Sequence, residues 1–209
     1  MIKSGYYYPN RLVLAAFNAL EYVMGRNGLN VILNIAHLRE RINHYPADNL
    51  KKGFDFVDFT AIQIAIEEMY GEQGGRGLIK RAGRTVFLTS LCKFGALAGV
   101  SNEAFRGLPL QTRLRIGIQA MARIFSQFSD QITTVEESDI YYRYTVHRCP
   151  DCWSRAGMET PVCSFGKGLL EEGLKWISGG SEFNVTEIKC RAMGDEVCEY
   201  SIEKIPINI

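Results

Sequence analysis

Five of the six cysteines in this 209-residue chain, Cys149, Cys152, Cys163, Cys190 and Cys198, fall within one window of 50 residues, and Cys92 stands apart. In a small secreted domain such a cluster reads as a disulfide frame. Here the N-terminal residues 1–9 carry no apolar signal core, so a cytoplasmic protein is expected and the cysteines point to metal or redox chemistry. The length fits a single domain over 1–209, with a mainly helical part over 1–130 and a strand-rich, metal-binding part over 131–209. Hydrophobic residues make up 46% of the chain and supply a real core. A net charge of +1 gives nucleic-acid binding no support. The longest unbroken apolar run, residues 12–17, is too short for membrane insertion.

Local patterns divide the chain further. Asn10 is placed to cap a helix to about residue 24, with Leu12, Ala16, Leu20 and Val23 at helical spacing and Gly25 ending it. A shorter helix over 29–36 and a polar turn at 44–46 follow. Asp58 or Thr60 starts the next helix, with Ile62, Ile66 and Met69 on one face and Gly71 as its stop. Gly74, Gly75 and Gly77 read as a loop, before a broken helical pattern from Leu78 through Phe94 and Leu97 to Gly99. Pro109 suits the first turn of a long amphipathic helix containing Leu110, Leu114, Ile118, Met121 and Phe125. Residues 132–135 and 140–146 then alternate as strands, with Ile140, Tyr142, Tyr144 and Val146 on one face. An irregular loop over 150–160 precedes a helix opened by Pro161 and closed by Gly179 and Gly180. Strands over 182–192 and 196–205 meet at the turn Met193-Gly194-Asp195. The order predicts an α+β fold, an antiparallel sheet packed against several helices.

A three-residue turn centred on Gly194 sets Cys190 and Cys198 opposite each other. Opposed Cβ atoms lie about 4.5–5.5 Å apart, a spacing at which two thiolates grip one ion. Glu187 points to the other face of a regular strand and joins that site only through a bulge or twist. With Cys163 at a helix start as fourth donor, Cys163, Glu187, Cys190 and Cys198 make a closed tetrahedral site for a structural zinc. A Cys190–Cys198 disulfide or two inert buried thiols are the alternatives. Cys149-Pro150-Asp151-Cys152 has CxxC spacing, read as a metal knuckle ahead of a redox pair because a strand precedes it and an irregular loop follows. Its two sulfurs compete with Glu187 and Cys163, form a second site, or stay free. His37, His44 and His147 are expected to be structural. No hydrolase, metalloprotease or phosphate-loop pattern is present, so an enzyme reading has no residues to carry it. Tyr142, Tyr144, Trp153, Phe165 and Trp176 are candidate linings of an apolar pocket for a small hydrophobic ligand, with core filling as the alternative.

Pro161-Val162-Cys163, Gly166 and Gly168, followed by Glu187, Cys190, Gly194, Asp195 and Cys198 at fixed spacing, resemble the 4-vinyl reductase domain family of predicted hydrocarbon-binding proteins. The motif covers about residues 160–202. The resemblance implies a fold like that of transport-particle subunits and haem nitric-oxide-binding domains, with a small-molecule pocket. It also implies, as in phenol-sensing activators, a zinc held by Cys163, Glu187, Cys190 and Cys198. Those sensors use a His and a Trp in their pocket, where this sequence offers Tyr142 and Tyr144. The resemblance leads first to a zinc-containing, non-catalytic module that binds or senses a small hydrophobic ligand. A carrier of a vinyl-bearing tetrapyrrole in bacteriochlorophyll synthesis and an assembly subunit are the other readings. A homodimer through the long helices follows by analogy.

Overall fold

The computed structural model describes residues 2–93 and 103–207, so Phe94, Leu97 and Gly99 of the broken helical pattern lie outside the described residues. Strand β1 (Tyr7–Pro9) runs into α1 (Asn10–Ile35), and β2 (Lys52–Asp55), antiparallel to β1, runs into α2 (Phe56–Tyr70). Helices α3 (Glu72–Thr89), α4 (Glu103–Arg106) and α5 (Leu110–Phe128) follow. The last third contains β3 (Thr133–Glu137), β4 (Tyr141–Val146), α6 (Ser164–Ser178), β5 (Phe183–Lys189) and β6 (Cys198–Pro206). Its strands form one antiparallel sheet in the order β3-β4-β6-β5, and α6 contacts α3, α5 and β5. The fold is α+β, a four-stranded antiparallel sheet against a helical layer.

Several boundaries shift for identifiable reasons. The two helices expected over 10–24 and 29–36 are arms of α1, kinked where Gly25 takes φ 78°. Pro9, not Asn10, holds the cap position, and the Asn10 N–H donates to the Lys51 carbonyl at 2.9 Å. Asp55 caps α2 in place of Asp58 or Thr60, accepting from the Val57 N–H at 2.8 Å and the Ser4 hydroxyl at 2.8 Å. Helix α6 starts after Cys163 rather than at Pro161, because Cys163 keeps a non-helical backbone. Ile140 falls outside β4 and is 72% exposed, which leaves Tyr142, Tyr144 and Val146 as the inward face.

The glycines at 74, 75 and 77 belong to α3, not to a loop; the break comes at Gly71, with φ 75°. They serve close packing instead. A Cβ on Gly75 would lie 2.6 Å from the Glu67 Cα in α2. Further along, a Cβ on Gly83 would lie 2.2 Å from the Phe165 carbonyl oxygen, and one on Gly168 2.1 Å from that of Lys80. Helices α3 and α6 therefore cross backbone to backbone, which fixes the start of α6 and with it Cys163.

Candidate metal centre

The register between β5 and β6 pairs Val185 with Ile202, Glu187 with Tyr200 and Lys189 with Glu199, so two steps on β5 answer one on β6 after Glu187. This is a bulge, and it overrides simple alternation. Glu187 continues the inward side of Phe183 and Val185, Ile188 and Lys189 turn outward, and Cys190 is buried again. A 3₁₀ turn over Arg191–Met193 and Gly194 at φ 104° bring the chain round to Cys198. The Cys190 N–H donates to the Asp195 carboxylate at 2.8 Å, and the Arg191 N–H to the Cys198 Sγ at 3.4 Å.

Cys163 is the N-cap of α6. Its N–H donates to Glu187 Oε2 at 3.0 Å, and its carbonyl accepts from the Tyr200 hydroxyl at 2.9 Å. Cys149 and Cys152 reach the same place from the loop after β4. That loop is pinned to α2 by the Thr60 hydroxyl, which donates to the Pro150 carbonyl at 2.6 Å, and by Arg155 on Glu67 at 2.7 Å. The Gly166 N–H at the head of α6 donates to Asp151 at 2.8 Å.

All five sulfurs are buried and all six cysteines are free thiols. Separations are 3.5 Å for Cys149–Cys163, 3.4 Å for Cys152–Cys198, 3.6 Å for Cys163–Cys198 and 3.7 Å for Cys163–Cys190. A tetrahedron of thiolates about 2.3 Å from zinc has edges of about 3.8 Å, so the spacing suits that ion. Two sets of four donors each lie within 4.8 Å: Cys149, Cys152, Cys163, Cys198, and Cys163, Glu187, Cys190, Cys198. Glu187 Oε1 is buried with no hydrogen-bond partner, an arrangement that costs about 1–3 kcal/mol unless something else takes the oxygen. Burial pushes the Glu187 carboxyl up to about 9, with Cys190 adding to it, and burial raises Cys163 as well. An ion binding here displaces those protons, so affinity falls in acid.

Residues 142–204 match the model of the 4-vinyl reductase domain family. The match contains both donor sets, and the family is the one the motif had indicated. No curated protein matches the chain. Solved H-NOX structures share its fold. A mutant H-NOX of T. tengcongensis is 12% identical, covering 92% of this chain and 95% of that one at TM-score 0.59. The unliganded Fe(II) H-NOX of K. algicida is 13% identical, over 93% and 95%, at 0.56. The Fe(II)NO form from S. oneidensis is 12% identical, over 93% and 99%, at 0.54.

Another H-NOX structure, 12% identical over 95% of this chain, concerns distortion of a haem. The residues here do not fit that group. His37, His44 and His147 are all exposed. Among the described residues, the cavity between the four-stranded sheet and α6, lined by Tyr8, Tyr144, Asp151, Phe165 and Tyr200, measures about 30 Å³, room for a water molecule. A larger cleft of about 330 Å³ lies between α1 and α5, and its walls contain no His, Cys, Tyr or Met to ligate iron.

The five aromatic candidates separate. Tyr144 and Phe165 line the small cavity. Tyr142 is buried under Lys204, 4.9 Å from its ring centre. Trp153 meets Tyr6 edge-on at 5.1 Å and carries Arg191 at 5.0 Å, while Trp176 packs on Phe87 at 5.9 Å. The larger cleft, walled by Leu12, Ala15, Leu91, Ile124 and Phe125, was not read from the sequence. The apolar run over 12–17 was its one visible signal. Among the described residues no helix is long and apolar enough to cross a membrane.

Proposed function

We propose that the protein is a non-catalytic binding module in which a zinc–thiolate centre braces the C-terminal sheet and a small apolar molecule occupies the cleft between α1 and α5. The observation that carries this is the cleft, about 330 Å³ with apolar walls and a rim of Arg11, Asp48 and Lys93. That volume sits at the small end of ligand pockets, roughly 300–1,000 Å³, and suits a benzene-sized or short-chain ligand better than a macrocycle. Phe125 belongs both to the cleft and to the small cavity whose wall includes Cys149 and Asp151, so one side chain separates ligand space from the centre.

The test is a thermal-shift series with benzene, toluene and short alkanes on the wild-type protein and on Ala15→Trp, which fills the cleft. A ligand at a hundred times its Kd adds about 2.7 kcal/mol. For a chain of this size that is a rise in Tm of about 5–10 °C. The rise is expected in the wild type and absent in a folded Ala15→Trp variant. No rise with any probe, or an equal rise in both proteins, overturns the proposal.

A further inference from the structure

We infer that the cysteine cluster holds two zinc ions rather than one, with the sulfurs of Cys163 and Cys198 bridging them. The inference rests on reading the cluster as a zinc centre and adds its nuclearity. The two four-donor sets are not rivals for one position: they intersect in two sulfurs, those of Cys163 and Cys198. Two tetrahedra that share two corners share an edge, and that edge is 3.6 Å long. The edges leading from it run 3.5 Å to Cys149, 3.4 Å to Cys152 and 3.7 Å to Cys190, all near the length a zinc–thiolate tetrahedron asks for. Cys149 and Cys152 are then the outer ligands of one ion, and Glu187 and Cys190 those of the other. Thiolate is the donor able to bridge, having further lone pairs on a large, polarizable atom, and both shared positions are sulfur.

A single ion leaves a fault in either place. In the all-cysteine set it leaves Glu187 Oε1 buried without a partner. In the set containing Glu187 it leaves two buried thiols at 3.4–3.5 Å from metal-bound thiolates. Two ions resolve both. Charge does not oppose the second: two divalent ions against six anionic donors leave the same formal −2 as one ion against four. The Arg191 N–H also donates to the bridging Cys198 sulfur, at 3.4 Å. A cubane iron–sulfur cluster places irons and sulfides between its thiolates and so needs them further apart than sets gathered within 4.8 Å.

The test uses the full chain, reduced and loaded with zinc, weighed by native mass spectrometry beside elemental analysis. Two zinc ions per chain are expected in the wild type and one in the Cys149→Ser/Cys152→Ser variant. Loading with ¹¹³Cd gives two resonances coupled to each other through the shared sulfurs, a readout that needs no variant to fold. One ion in the wild type, or a single ¹¹³Cd resonance, overturns the bridged pair and leaves a one-ion centre standing. No bound metal at all overturns both readings. Iron with acid-labile sulfide in native preparations overturns the zinc assignment.

Discussion

The crossing of α3 and α6 makes a prediction in which the same substitution has opposite signs at two glycines. A Cβ on Gly168 meets the Lys80 carbonyl oxygen at 2.1 Å and its carbon at 2.9 Å, where ordinary contact begins at 3.4 Å. Both obstacles are backbone, so no side chain can swing away and the helices must part by more than about 1 Å. Parting them loosens the packing of Ile79, Ala82 and Phe87 on α3 and of Leu169 on α6, all buried. Overpacking of this kind costs about 1–3 kcal/mol, and a rigid obstacle belongs at the upper end. Replacing a helical glycine by alanine recovers about 0.5–1 kcal/mol. The net expectation for Gly168→Ala is a loss of about 2 kcal/mol, or about 4–8 °C in Tm. Gly77 is exposed in α3 with nothing within 4 Å of its Cβ position, so Gly77→Ala keeps the gain and raises Tm by about 2 °C. Urea titration at constant metal content, followed by tryptophan fluorescence, measures both variants. A Gly168→Ala protein as stable as wild type, with unchanged m-value, refutes the reasoning.

Three further outcomes follow from other contacts. Burial alone would raise the Asp55 carboxyl, but the N–H groups of Val57, Ser4 and Gly5 and the Ser4 hydroxyl outweigh it and hold the group below its usual value. A lowered folded-state pKa adds stability above the unfolded value of about 3.9 and loses it as pH falls through the folded one. Asp55→Ala should therefore cost about 1–2 kcal/mol at pH 7, with the gap to wild type closing in acid, as urea midpoints across pH will show. Arg155 and Glu67 are 7% and 9% exposed, and Arg76 stands 3.9 Å from Glu67 as a weak substitute. Arg155→Met should cost about 3 kcal/mol by leaving a carboxylate underpaired, and a denaturation curve matching wild type would count against the pair. In thiol labelling followed by mass spectrometry, half-buried Cys92 should react in the native protein, and the other five only after chelation. Immediate labelling of all six would contradict a bound ion.

Elements whose order lies in local pattern were legible in the sequence: the break at Gly25, the apolar stripe of α5, and the hairpin at Gly194. What depends on contact between distant segments was not. The β1–β2 pair is three and four residues long, too short for alternation to register. Gly74, Gly75 and Gly77 look like a flexible loop because composition cannot tell a turn from a place where two backbones meet. Alternation required a bulge to bring Glu187 beside Cys190, and β5 has one at that point. How Cys149 and Cys152 relate to the other donors stayed open, because their loop is placed by Thr60 and Glu67 on a helix some 90 residues away in sequence.

The meeting of α3 with α6 also sets a timetable for synthesis. Helix α3 ends at Thr89 and its partner at Ser178, so the ribosome makes the two nearly 90 residues apart. At about 5–20 residues per second, the side of α3 bearing Ile79, Ala82, Val86 and Phe87 waits roughly 5–18 seconds for its cover. During that interval the nascent chain presents an apolar surface, and holding chaperones have their chance to bind. Cys198 emerges later still, so metal loading belongs to the last moments of synthesis.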